Sequence, residues 1–322
     1  MEHQIINQPF NQLIYNQYRV EHDNKNTAYT IHMLTSPGVS FFTNGYLIET
    51  ADGVVAIDTF MTISDAKGQR ALLDSLNKPL IAIIISHGHP DHYNGNSVML
   101  AGFDNVPVIS SQEIHDCIRD SVDAKEIKWK PFFGADWPSE KVLPNQIIHD
   151  GSRITLAGLP FCFTELGAAE SNSDMYFTVG ERPSVVFAGD VVFNQMHGFM
   201  NDGHSQQWLQ VLHRLNRQLN HLLWLFTGHG LPGEPAQLID QQIMYIQDYQ
   251  RHVINLGQGA KQLNPEQKNQ LTAAMTQAYP DYQLTGFIQA GADAVAAEMA
   301  SGVFDERTGE KGRWCTSKSK SG

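Results

Sequence analysis

At 322 residues the chain is long enough to bury one large core with an appendage. Its hydrophobic fraction of 42% is that of a globular protein. A formal net charge of −12 argues against binding nucleic acid or an anionic membrane surface, since each wants a basic face. No apolar run reaches bilayer-spanning length, and no basic segment followed by an apolar one opens the sequence, so no membrane partner and a cytoplasmic location are expected. Cys117, Cys162 and Cys315 show neither close pairing nor metal-ligand spacing, so no disulfide framework is expected and Cys162 reads as a core residue.

Residues 1–35 are polar and rich in Asn and Gln, and an irregular or partly helical lead-in is predicted there. Val39–Phe42, Gly45–Glu49 and Val54–Asp58 are strand-like runs, with Asp52-Gly53 as a hairpin turn between the last two. Ser64–Leu76 carries leucines at helical spacing, and Pro79–Ile85 is an apolar run of the kind a buried strand shows. Val106–Ile109 is a further strand, and Ser111 an N-cap for a helix through Val122. Residues 123–151 read as irregular, with Trp129, Phe132, Phe133 and Trp137 close together; a substrate-side loop and a cover packed on the core are equally good readings.

Strand patterns resume at Arg153–Leu156, Phe161–Thr164, Met175–Val179 and Ser184–Ala188. An amphipathic helix follows over Ser205–Leu222, then a strand at Leu223–Thr227 and a helix over Pro235–Leu256. Asn264-Pro265 opens a helix through Met275, and a last helix spans Thr285–Met299. The alternation fits a two-sheet α/β sandwich flanked by helices. The predicted division is a lead-in (1–35), a main domain (36–257), a C-terminal helical extension (258–308) and a flexible tail (309–322). The extension reads as a lid or as the surface of a homodimer.

The segment Ser86-His87-Gly88-His89-Pro90-Asp91-His92 carries the chemistry. It places three imidazoles and a carboxylate directly after the apolar run. His87 and His89 are two apart, so on an extended backbone they project to the same side. Asp91 and His92 lie around the following turn and can face a second ion. Imidazole and carboxylate are the usual ligands of zinc, iron and manganese.

His87-x-His89-x-Asp91-His92 resembles the signature of the metallo-β-lactamase superfamily of metal-dependent hydrolases. That resemblance implies an αββα sandwich with two divalent metals at one edge. It also implies a bridging carboxylate, matched by Asp190 after the run Val185–Gly189, and a last metal histidine, matched by His229 between Gly228 and Gly230. The family's third histidine is absent. The segment Ala169-Glu170-Ser171-Asn172-Ser173-Asp174-Met175 is similar instead to the segment in which alkylsulfatases of this superfamily carry a metal-binding Glu, which assigns Glu170, with Asp174 as the second choice. Three carboxylates then face two divalent ions. The added negative charge weakens their Lewis acidity and leaves manganese or iron nearly as suitable as zinc.

The resemblance implies a binuclear hydrolase that uses a metal-bridging hydroxide on an ester-like bond (ester, lactone, thioester, sulfate ester or amide) of a small molecule. In sites of this kind the ions stand about 3.5–4 Å apart. Asp91 orients the nucleophile or passes a proton. His197, in the loop after Asp190, is the first candidate for substrate contact, and Tyr93 the second. A non-haem iron redox enzyme or sensor on the same fold, and a catalytically weak metal-binding protein, are the alternatives.

Overall fold

The computed structural model describes residues 2–10, 12–21 and 28–301. The chain opens with β1 (Glu2–Phe10), β2 (Leu13–Val20), β3 (Tyr29–Thr35), β4 (Asn44–Glu49) and β5 (Val54–Ile57). Next come α1 (Ile63–Ser75), β6 (Leu80–Ile84), α2 (Pro90–Tyr93), α3 (Asn96–Leu100), β7 (Val108–Ser111), α4 (Gln112–Phe133), β8 (Gln146–Ile148), β9 (Arg153–Leu156) and β10 (Leu159–Gly167). The remainder is β11 (Asp174–Val179), β12 (Val185–Phe187), α5 (Ser205–Leu219), β13 (Trp224–Phe226), α6 (Pro235–Gly257), α7 (Pro265–Ala278) and α8 (Gly286–Ser301). One sheet has the order β1-β2-β3-β4-β5-β6-β7-β8 and the other β13-β12-β11-β10-β9. This is the mixed α/β, two-sheet architecture that the strand and helix patterns predict.

The described chain separates into two compact units, a first from Met1–Glu165 with Phe177–Pro183 and a second from Leu166–Tyr176 with the chain from Ser184 on. This division runs through the stretch read as one main domain. In the first unit, β1 to β5 pair as an antiparallel meander, and β5, β6 and β7 pair in parallel. The Asp52-Gly53 hairpin forms as expected, with Glu49 opposite Val54. β5 and β6 are buried on nearly every residue, which is why both read as continuous apolar runs.

Three secondary-structure expectations fail in this unit. The lead-in is not irregular, because β1, β2 and β3 occupy it. In β2, Leu13, Tyr18 and Val20 are buried while the Asn and Gln side chains between the apolar positions mask the strand pattern. Val39–Phe42 is not a strand. A short 3-10 turn covers Gly38–Ser40, and Phe41 and Phe42 sit at φ of 70° and 55°, outside the strand region. The helix from Ser111 does not stop at Val122 but continues through residues read as irregular. Ser111 caps it as predicted, its hydroxyl accepting from the Ile114 N–H. Beyond Val122 the good helix formers Ala124, Lys125, Glu126, Lys128 and Lys130 carry it on, with a Glu126–Lys130 ion pair at 2.7 Å, and Pro131 falls in the last turn before Gly134 ends it.

In the second unit, Trp208, Leu212, Leu215 and Leu219 of α5 bury against Ile239, Ile243 and Ile246 of α6. Leu271 and Met275 of α7 and Ile288, Val295 and Ala296 of α8 belong to the same core, so the C-terminal helices are part of this unit's interior. Asn264 and Gln267 form a reciprocal capping box at the start of α7. The tail at 309–322 lies outside the described residues. Cys162 is disulfide-bonded, against expectation. No helix among the described residues is long and apolar enough to cross a membrane.

Ile83 of β6 is fully buried directly behind the histidine loop. Ile83→Ala is expected to lower stability by about 2–5 kcal/mol through the cavity it leaves. Denaturant unfolding checks this, and an unchanged midpoint would contradict the burial of β6.

Candidate metal centre

In the first unit the site grows from the parallel β5–β6 pair. Ile57 lies opposite Ile84, so the two strands end side by side and release Asp58 and the Ser86–His92 loop at one edge. Asp58 leaves β5 at φ 54° and is buried. Its Oδ1 accepts from the Ser86 backbone N–H at 2.9 Å, and its Oδ2 from the Ser86 hydroxyl at 2.8 Å. His92 Nδ1 stands 2.8 Å from the same Oδ2. An ionised carboxylate only accepts, so His92 donates from Nδ1 and keeps the lone pair of Nε2 for a ligand. The Ser86 hydroxyl has given its hydrogen to Asp58 and can only accept from His87 Nδ1, 3.0 Å away, which leaves Nε2 as the nitrogen with which His87 could bind a metal.

His87 and His92 are fully buried, and His89 and Asp91 nearly so. The His87 ring lies 4.8 Å from that of His89 and 4.2 Å from that of His92. Pro90 at the first position of α2 fixes the turn that brings Asp91 and His92 round after His89. Thr43, at the start of β4, donates its hydroxyl to Asp91 Oδ2 at 2.8 Å. Tyr93 ends α2, is buried, and has its phenol pushed above the ordinary range by burial and by the charge of Asp91.

The second unit holds the other assigned residues. Asp190 sits in a 3-10 turn, Gly189–Val191, after β12, and its Oδ2 lies 3.0 Å from His229 Nε2. His229 follows β13, the parallel partner of β12, and stacks on Phe193 at 5.0 Å with the rings nearly parallel. Glycine at 228 is obligatory: a Cβ there would lie 1.7 Å from Asp190 Oδ1. Glu170 is buried in the loop between β10 and β11. Asp174 Oδ2 accepts from the backbone N–H groups of Ala169 and Ser171, at 3.1 and 2.9 Å, and so shapes the backbone on both sides of Glu170.

His197 is fully buried in the second unit. Its Nδ1 lies 3.1 Å from the Tyr245 hydroxyl, and its ring packs against Tyr245 and Tyr282. Burial pushes its pKa down to about 4. Asp58 went unassigned in the sequence. Its signal was a lone carboxylate directly after a fully apolar strand, the same placement that marked Asp190.

Each unit thus offers buried imidazole and carboxylate at strand ends. Ionised carboxylates are seldom fully buried unless paired or metal-bound, and this donor set suits a divalent transition metal.

Residues 39–229 match the sequence profile of the metallo-beta-lactamase superfamily. The chain belongs to that superfamily of metal-dependent hydrolases. Two curated relatives are hydroxyacylglutathione hydrolases of Prochlorococcus marinus, from strains MIT 9301 and MIT 9312, 29% and 27% identical over 143 residues. That match covers 44% of this chain, which spans about half (48%) of the length of each relative. Among solved structures, a metallo-beta-lactamase from Pontibacter korlensis is similar with a TM-score of 0.53 at 15% identity, over 74% of this chain and 95% of that one. A double mutant of the sec-alkyl sulfatase PisA1 is similar with a TM-score of 0.60 at 18% identity, over 90% of this chain and 51% of that one. At these identities the two structures show a shared fold.

Asp58→Asn keeps a residue type that tolerates positive φ but cannot hold the His92 tautomer in the same way. Metal affinity is expected to fall about 10- to 100-fold with the fold intact, read by competition against a chromophoric chelator. An unchanged affinity would remove Asp58 from the site. A second expectation concerns pH. The folded-state pKa of His197 is about 4, below the ordinary 6.5, so between those values the unfolded chain binds a proton that the folded one refuses. Stability therefore rises with pH through that window, and His197→Gln should flatten the rise in pH-dependent thermal unfolding.

Proposed function

We propose that this chain is a binuclear metal-dependent hydrolase that cleaves an ester-like bond in a small molecule. The observation that carries the reading is the Asp58–Ser86 arrangement, which turns Nε2 of both His87 and His92 into metal-binding lone pairs inside the family signature. The residues that would hold the ions are His87, His89, Asp91 and His92 in the first unit and Glu170, Asp190 and His229 in the second. Zinc is the proposed metal. Glu170 is favoured over Asp174 because Asp174 already serves two backbone N–H groups.

When bound, the ions would supply Lewis acidity and an activated water. The protein supplies orientation and a proton route. Thr43 pins Asp91 Oδ2, so Asp91 is held in one rotamer from which it can orient the attacking water or take its proton. Asp58 holds His92 with its Nδ1–H turned inward, so that Nε2 stays aimed outward. Gly228 lets Asp190 approach the loop that carries His229, so both donors are in place before any substrate arrives.

Elemental analysis of purified protein is expected to find about two metal ions per chain. A screen across ester, lactone, thioester, sulfate-ester and amide substrates is expected to show metal-dependent hydrolysis. A folded protein that takes up no added zinc would overturn the proposal. Glu170→Ala is expected to empty the first metal position before the second, whereas equal loss at both, or none, would reassign the ligand.

A further inference from the structure

The aromatic segment after Val122 has a use that metal chemistry does not absorb. Trp129, Phe132 and Phe133 fall three and four residues apart and share one face of the last turns of α4. Phe132 meets Phe133 edge to face at 5.0 Å, and Trp129 lies 6.4 Å from Phe133. Phe41, from the turn before β4, meets Trp129 edge to face at 5.4 Å. Phe132 is 64% exposed and Val39, in the same turn as Phe41, 58% exposed, so this is an apolar shelf open to solvent.

The shelf is held rigidly from behind. Trp137 is buried, stacks on Phe133 at 6.3 Å and carries the Lys141 ammonium over its ring, 4.2 Å from the ring centre. Asp136 accepts from both the backbone N–H and the hydroxyl of Ser64 at the start of α1. On the other side, Phe41 and Phe42 are held at positive φ, a costly conformation for aromatic residues, and the Phe42 ring packs so closely on Gly38 that a Cβ there would come within 2.7 Å of it. The residue after this strained pair is Thr43, whose hydroxyl holds Asp91. One short run of backbone therefore links the shelf to the carboxylate of the signature loop, all within the first unit.

We infer that the shelf of Val39, Phe41, Trp129, Phe132 and Phe133 binds an alkyl or aryl tail of the substrate whose ester-like bond is cleaved. The inference rests on the proposed hydrolase activity for the word substrate, and on its own observations for the tail. Continuity with Asp91 through Thr43 favours a substrate tail over a separate partner. The overall charge of −12 offers no support for an anionic membrane surface as the occupant.

The test uses the zinc-loaded full chain and two chain-length series. One is turnover of esters of a single alcohol with acids from acetate to decanoate. The other is binding of the free alkanoates from butanoate to decanoate, followed calorimetrically. Each added methylene is expected to improve kcat/KM and affinity about two- to threefold, less than the roughly fourfold of complete burial because the shelf is open. Phe132→Ser is expected to cut the decanoate-to-acetate ratio at least tenfold. Ile127→Ser, at a residue 78% exposed and on the opposite side of α4 from Trp129, is expected to leave that ratio unchanged. Alkanoate binding that lengthens with the chain and is lost in Phe132→Ser would support the shelf even where no ester is hydrolysed, which separates its fate from that of the hydrolase reading. A flat chain-length response, or the same slope in Phe132→Ser, would overturn the inference. So would Phe132-dependent sedimentation with phosphatidylcholine–phosphatidylglycerol vesicles alongside a flat alkanoate series, because the shelf would then face a membrane.

Discussion

Asp58 is the buried carboxylate on which the first unit's chemistry depends. It receives three hydrogen bonds, two from Ser86 and one from His92, and together they leave no freedom in the loop between β6 and α2. The tautomer of His92 follows from the charge of Asp58, and that of His87 follows from the single hydrogen on the Ser86 hydroxyl. Both follow from counting donors and acceptors in a place where water cannot correct a mismatch. The parallel pairing of β5 with β6 delivers Asp58 to that position, so sheet register and ligand geometry are one constraint.

The second unit meets a similar demand by removing atoms. Asp190 and His229 come from the ends of two paired strands, and their approach leaves no room for a side chain at residue 228. Phe193 stacked on His229 restricts the imidazole on its flat face, as Asp58 restricts His92 at its edge. Asp174 shapes the loop of Glu170 through two backbone N–H groups, and this explains why a segment with two acidic residues has one structural and one candidate ligating carboxylate. The helices of this unit share one apolar core, which includes α7 and α8.

Much of this was legible in the chain. β5 and β6 announced themselves because strands buried on both faces read as unbroken apolar runs, and α5 because its apolar stripe has a helical period. The caps at Ser111 and Asn264 are local, so they were visible locally. β2 was hidden by Asn16 and Gln17 between its apolar positions, and β3 by Thr30 and His32, which interrupt Tyr29, Ile31 and Met33. The extent of α4 was hidden by its aromatic residues, which read as a loop because they are half exposed and do not form a core stripe. Phe41 and Phe42 looked like a strand by composition, but their backbone sits at positive φ.

By itself, the sequence determined the types of candidate ligand and their spacing, since side-chain chemistry and the two-residue period of extended backbone travel with the chain. It placed His87, His89, Asp91 and His92 on one loop after a buried strand. Tertiary structure alone decided which nitrogen of His87 and of His92 faces outward, because that depends on Asp58, twenty-eight residues from Ser86 along the chain. Tertiary structure alone also turned Trp129, Phe132 and Phe133 from an aromatic cluster into a shelf joined to Thr43 and Asp91. Contacts between residues far apart in sequence carry no local periodicity, and they exist only once strand pairing has brought the segments together.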